Sequence, residues 1–450
     1  MKTRSLAIGC LAALAVASLA APASGEDLLQ IYREGLVSDP TLAAARATWV
    51  ATQEALPQAR SGLLPVVSLL GNANEQNYYN RLHTNPGVAV TQQFPFYGYT
   101  VTASQPLYRP QNWITFDQAK VQVNQADYTL ASAQQDLIVR VAQAYFDVLL
   151  AQFTIELIES QKAAVSENLA LAKRNFEVGV ATITDTNDAQ AKYDQIVAQE
   201  VSVQNDLANR MAALRAIIGR TPNSLVRVDT SYEPQLPSPL AIEPWMDRAI
   251  HDNYQVRIAQ SNFDIATLEI DRQRAAHYPT VDLVASFNQN YSGGAATTNI
   301  SGNFYQDARL GIIGLQLNMP LYQGGLVNSR VRQAIANVDA SRQNLESARR
   351  SAQLLAQTSY AGVTSGVAQV KALGQALKSA QVSYESNKLG LEVGVRTNLD
   401  VLNQQQQVFQ TRFNIAQAYY NYIISALKLK QSVGTLSDED VEKINRDLGG

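Results

Sequence analysis

The residues that could do chemistry are few and scattered. The chain has one cysteine, Cys10, and three histidines, His83, His251 and His277. They lie too far apart in sequence to suggest a zinc site or a disulfide framework. Catalysis would have to rest on carboxylates or serines, and none of these stands in a nucleophile elbow, a phosphate loop or a metal-binding cluster. Asp264, Glu269 and Asp271 read most simply as solvated charges on a helix. The sequence therefore implies neither an enzyme nor a cofactor.

Charge narrows the partners. The 450 residues carry 36 Lys and Arg against 39 Asp and Glu, a formal charge of −3. Losing Lys2 and Arg4 with a leader leaves 34 against 39, or −5. Without a basic excess to neutralise phosphates, nucleic acid is not an expected partner. Residues 1–23 read as a secretory signal peptide: Lys2 and Arg4, an apolar run from Leu6 to Ala21, and the small-residue close Ala21-Pro22-Ala23. Cleavage there discards Cys10. No later stretch is apolar for long enough to span a bilayer as a helix, so any membrane insertion must use strands.

The elements that must position any site come from an internal repeat. Arg60 aligns with Arg274, Pro65 with Pro279, and Pro106-Leu107-Tyr108 with Pro320-Leu321-Tyr322, all at an offset of 214. One extra residue near Gly324-Gly325 makes the offset 215. Tyr145 then meets Tyr360, Val178-Gly179-Val180 meets Val393-Gly394-Val395, Asp185 meets Asp400, and Gly219 meets Gly434. A constant offset over several residue types marks two copies of one unit. The expected organisation is a first repeat at 24–220, a proline-rich connector at 221–244, a second repeat at 245–436, and a tail at 437–450.

Each repeat reads as helix, two strands, a very long helix, a break, and a helix. Alternating steps of 4 and 3 residues from Leu130 to Phe176 meet fourteen positions, of which twelve are apolar. This is a sustained heptad seam rather than a globular helix face. The equivalent seam, from Leu345 to Leu391, is made of smaller residues, so its helices can approach more closely. A helix from about 110 to 178 would be about 100 Å long, and the shorter helices, 27–63 and 182–219, would match it placed end to end. Gly179 and Gly394 mark the turn-backs.

Between Pro65 and Pro106 the period changes to 2. Tyr97, Tyr99, Val101 and Ala103 alternate with small or polar residues, as do Val281, Leu283, Ala285 and Phe287, and Ile313, Leu315, Leu317 and Met319. Polar segments 74–93 and 290–307 read as the loops between strands. The pattern suits strands between lipid and a watery lumen, and equally a half-buried soluble sheet. Four strands cannot close a barrel, so a lipid-spanning version must oligomerise: two chains give eight strands and three give twelve.

Arg60, Leu63-Leu64-Pro65, Pro320-Leu321-Tyr322-Gln323-Gly324-Gly325, Val178-Gly179-Val180 with Thr184-Asp185, and Val393-Gly394 with Arg396-Thr397 and Asp400-Val401-Leu402 resemble the TolC family of outer-membrane efflux proteins. The resemblance spans essentially the whole mature chain. It implies a mainly α fold with a membrane β-barrel: very long coiled-coil helices form a periplasmic tunnel, and four strands per chain build a trimeric twelve-stranded barrel. It also implies a passive exit duct for efflux or type I secretion. The implied partners are a periplasmic adaptor, an inner-membrane ABC or proton-driven transporter, and outer-membrane lipid. The competing expectation is a pore-less periplasmic coiled-coil or adaptor protein.

The resemblance also assigns the site. Arg396 and Asp185 are similar to the family's constriction links at the periplasmic end, and Asp400 resembles an aspartate whose three copies ring the entrance. Gly179, Val180, Gly394 and Val395 fall at the tip where adaptors dock. The chain departs from the family's pattern at Asn403, where a second ring aspartate is expected, and at Leu391, where a linking tyrosine is expected. Asp188 is the repeat equivalent of Asn403, since 188 + 215 = 403, as if one carboxylate had moved between repeats. A passive tunnel leaves cargo choice to the transporter.

Overall fold

The computed structural model describes residues 25–81, 89–226, 234–294 and 305–447; the leader at 1–23 lies outside them. The first repeat runs through α1 (Leu28–Ser38), α2 (Pro40–Gln53), α3 (Ala55–Ser61), β1 (Val66–Arg81), β2 (Ala89–Tyr108), α4 (Pro110–Glu177) and α5 (Ile183–Ile218). The second runs through α6 (Glu243–Asp252), α7 (Tyr254–Arg274), β3 (Thr280–Ser292), β4 (Gln306–Asn318), α8 (Leu326–Glu392) and α9 (Asn398–Ser432), followed by α10 (Asp438–Asp447). The last helix lies where the sequence suggested a tail.

Helices α4 and α8, of 68 and 67 residues, are each about 100 Å long. Neither contains an internal proline; Pro110 occupies the first turn of α4, where its missing N–H costs nothing. The expected single helix over 27–63 is instead three segments. Pro40 cannot continue α1, and Asp39 starts α2 by accepting the Leu42 N–H at 2.7 Å.

The helices lie side by side as a strip. Towards the sheet the order is α2 with α3, then α4, α7 and α8; towards the far end it is α5, α4, α9, α8. The long helices thus run the full height, and the short ones stack end to end, joined where Gly219 meets Ser38 and Gly434 meets Asp252. All fourteen positions of the second seam are buried or half-buried. Its small residues do permit close approach: a Cβ at Gly366 would lie 3.0 Å from the Tyr422 Cβ, and just beside the seam one at Gly362 would lie 2.7 Å from the Ser425 Oγ. Lys162, one of the two polar residues in the first seam, bonds Glu200 at 2.6 Å and so ties α4 to α5.

The four strands form one antiparallel meander, β1-β2-β3-β4. Its register puts the three apolar sets on the same face: Val67, Ala103, Ala285 and Ile313 make one row, and Leu69, Val101 and Phe287 another. The strands reach well into the segments read as loops, because Asn74 to Asn77 pair with Phe96 to Gln93 and Asn290 with Gly98. Backbone pairing, indifferent to side-chain polarity, carries the hairpins there, and Tyr97 stacks on Tyr291 at 4.4 Å. At the base, Arg109 makes two bonds to the buried Asp282, at 2.8 and 2.6 Å, fastening the start of α4 to β3. β1 and β4 each keep one edge unpaired among the described residues.

Halfway along the strip a belt of α1, α6, α10 and the connector wraps the long helices. Its core holds Ile31, Leu137, Val141, Phe146, Leu214, Tyr419 and Leu427. The repeat-equivalent tyrosines bind the connector alike: the Tyr145 hydroxyl donates to the Val226 carbonyl at 3.0 Å, and the Tyr360 hydroxyl donates to the Leu240 carbonyl. Above the belt, Glu269 departs from the solvated charge expected of it. It accepts from Arg272 at 2.6 and 2.7 Å and from Gln118 of α4 at 3.0 Å. The Arg272 hydrogen bonds outweigh burial and hold its carboxyl at about 2.

Candidate functional site

The end of the strip remote from the sheet carries two hairpin turns of the same design. At the end of α4 the Val180 N–H reaches back to the Asn175 carbonyl at 2.9 Å and the Gly179 N–H to Phe176 at 3.0 Å. At the end of α8 the Val395 N–H reaches Gly390 at 2.9 Å and the Gly394 N–H reaches Leu391 at 3.0 Å. These pairs of bonds close a helix through one left-handed residue, and Gly179 and Gly394 supply it with φ of 79° and 78°. The turns expose Val178, Val180, Val393 and Val395. Four exposed valines, with Ile183, Leu389 and Leu399 also exposed, make the tip apolar.

Each returning helix then begins with a reciprocal capping box. Asp185 Oδ2 accepts from the Thr182 N–H at 2.9 Å and the Thr182 hydroxyl at 2.8 Å, while its own N–H donates to Thr182 Oγ1 at 3.2 Å. Asp400 repeats this with Thr397 at 3.0, 2.8 and 3.2 Å. The backbone N–H, and after it the hydroxyl, hold both carboxyls below their ordinary range, and for Asp400 the Arg396 charge adds to this. The two aspartates singled out for the constriction are thus also the residues that start α5 and α9.

Arg396 is exposed, with its stem lying across Gly390. The fold brings it to Asp400 but not to Asp185: among the described residues no ion pair links Arg396 to Asp185 within one chain, because α4 and α9 stand between α5 and α8. Asp188 and Asn403 are exposed on α5 and α9, one turn beyond the capping aspartates. Their neighbours Ala189 and Leu402 are buried in clusters with Leu169 and Ala172, and with Ile158 and Val165, so the hairpins pack on α4 and leave the polar residues outside. Sequence reasoning passed over Thr182 and quoted Thr397 only within a family motif, although a threonine three residues before an aspartate at a helix start is a legible capping signal. It also passed over Gly390, which carries no such signal, and quoted Val178 and Val393 only as motif residues beside the turning glycines.

The profile of the family described as outer membrane efflux protein matches residues 31–220 and 245–435, one match per repeat. The chain is 33% identical over 434 residues to the outer membrane protein TolC of Vibrio cholerae, covering 96% of each chain. It is 31% identical over 444 residues to TolC of Escherichia coli, covering 97% of this chain and 87% of that one. Among solved structures, the CmeC outer membrane channel of Campylobacter jejuni superposes with a TM-score of 0.79 at 15% identity, over 94% of this chain and 90% of that one.

Proposed function

Because the chain belongs to the outer membrane efflux protein family, and so is an outer-membrane channel rather than an enzyme, we propose that it works as a homotrimeric exit duct whose tip forms the gate. One observation supports this most: an open four-stranded sheet with an apolar face stands at one end of a strip about 100 Å tall, and the strip has two free sides. Sheet edges exposed in lipid are not tolerated, so β1 of one copy should pair with β4 of the next. Three copies then give twelve strands. The same rotation sets the α8 side of one strip beside the α5 side of its neighbour. A pore-less coiled-coil protein would have no use for hairpins with an outward apolar face.

Closure of the ring gives Arg396 its partner. In the strip order α5, α4, α9, α8, the turn that carries Arg396 lies at the side that meets the neighbour's α5, and Asp185 starts that helix. The latch is therefore a contact between chains. The exposed valines of the tip offer a docking surface for a periplasmic adaptor, which would couple the duct to an inner-membrane ABC or proton-driven transporter. Exposed ion pairs are individually weak, so docking can open such a gate without large forces. Alanine at both Asp185 and Arg396 should raise single-channel conductance in planar bilayers; conductance equal to the parent protein would refute the latch.

Three Asp400 carboxylates around the entrance should favour cations, because they are held ionised by their caps. With Asn403 in place of a second ring, trivalent cations should block more weakly than in relatives with two aspartates. Reversal potentials across a salt gradient measure this: Asp400→Asn should reduce the cation preference, and an anion preference in the unmodified channel would contradict the ring. Asp188, exposed on α5, would add to the field only if its side of the helix faces the pore, and Asp188→Asn in the same measurement separates its share.

A further inference from the structure

We propose that Thr397 and Gly390 are positioning residues of the gate, holding Asp400 and Arg396 in the one turn that presents a carboxylate and a cation together. The proposal rests on the latch reading above and adds what sets the latch arms. Thr397 does so through two bonds. Its hydroxyl donates to Asp400 Oδ2 at 2.8 Å and accepts the Asp400 N–H at 3.2 Å, which fixes both the side chain and the first turn of α9. One carboxylate oxygen is committed to the cap, and the other is left for the entrance.

Gly390 acts by being small. Its carbonyl takes the N–H groups of Val395 and Arg396 at 2.9 and 3.2 Å, so the turn folds back directly over it. A Cβ there would lie 2.7 Å from Arg396 Cγ and 3.4 Å from Arg396 Cβ. The contact falls at the root of the arginine side chain rather than its mobile end, so any larger residue must turn the whole arm away. The first repeat shows the alternative. It has the same threonine and aspartate at 182 and 185, but Asn175 stands where the second repeat has Gly390, and Ala181 where it has Arg396. Between its left-handed glycine and its capping threonine the α8–α9 turn carries Arg396, where the α4–α5 turn has Ala181 and its nearest cation, Arg174, belongs to the last turn of α4, so one turn presents the arginine and the other receives it as the ring closes.

The test uses the full-length channel in planar bilayers. Thr397→Val should move the acid midpoint at which cation selectivity is lost upward, since Asp400 loses a donor, while Arg396, the charged group that also lowers its carboxyl, remains. Thr397→Ser should restore the parent midpoint. Gly390→Ala should raise conductance as far as Arg396→Ala does and should add nothing in the Arg396→Ala background. An unmoved midpoint in Thr397→Val, or an equal increment from Gly390→Ala in both backgrounds, would overturn the positioning roles while leaving the latch intact. Parent-like conductance in Arg396→Ala would remove the latch and this proposal with it.

Discussion

Gly434→Ala is expected to destabilise the folded chain by roughly 3–5 kcal/mol, whereas the same change at its repeat equivalent, Gly219, should cost only about 1 kcal/mol. Both glycines close a helix in the left-handed region, with φ of 69° and 78°, and both sit at the joint where stacked short helices meet. The conformational cost is shared, so the surroundings decide. A Cβ at Gly219 finds the Ser38 Cβ at 3.7 Å, an ordinary contact. At Gly434 it would lie 2.5 Å from the Asp252 carbonyl oxygen and 3.3 Å from the carbonyl carbon, both backbone atoms that cannot rotate away. The carbonyl cannot retreat easily, because the next residue, Asn253, caps α7 through the Gln255 N–H at 2.9 Å and donates to the Ser432 carbonyl at 2.9 Å. Thermal unfolding of the detergent-purified channel compares the two variants, and equal midpoints would refute the steric reading.

That joint shows what could be read in advance. Both ends of α4, the far end of α8 and the turning glycines are legible because heptad spacing and glycine punctuation are local signals. The length of the strands was not. Asn74, Asn77 and Asn290 look like loop residues, and only pairing with a distant segment turns them into strand. The break between α1 and α2 follows from Pro40.

The residues of the proposed gate stand differently. They came through likeness to a family, and their local chemistry became visible only in three dimensions. Asp185 and Asp400 were expected as latch and ring. Both also complete the capping boxes of Thr182 and Thr397, so alanine at either position loosens a helix start as well as removing a charge, and the asparagine variant separates the two effects. The absence of an Arg396–Asp185 pair within the chain follows from helix order, which no local pattern encodes.

Asp39 yields the second large effect. Its side chain is only 2% exposed and caps α2, while Arg140 bonds it at 2.9 and 3.2 Å. Burial alone would push this carboxyl up, but the bonds from Arg140, from the Thr41 hydroxyl and from the Leu42 N–H outweigh it and hold the group at about 2, against an ordinary 3.8. The sign follows directly. A lowered folded value means that the stabilisation, about 2 kcal/mol, is fully present above the ordinary carboxylate range and is lost as pH falls from near 3.8 towards about 2. The second repeat gives the natural control, with Asn253 and Leu355 at the equivalent positions: the cap is kept and the ion pair is absent. Asp39→Ala, which removes both, should therefore cost about 3 kcal/mol at neutral pH, and Asp39→Asn less. Measured between pH 7 and 2, the stability gap between parent and Asp39→Asn should close on acidification. A gap that stays constant would mean that the charge contributes nothing and that Asp39 serves this joint only as a cap, as Asn253 does in the other repeat.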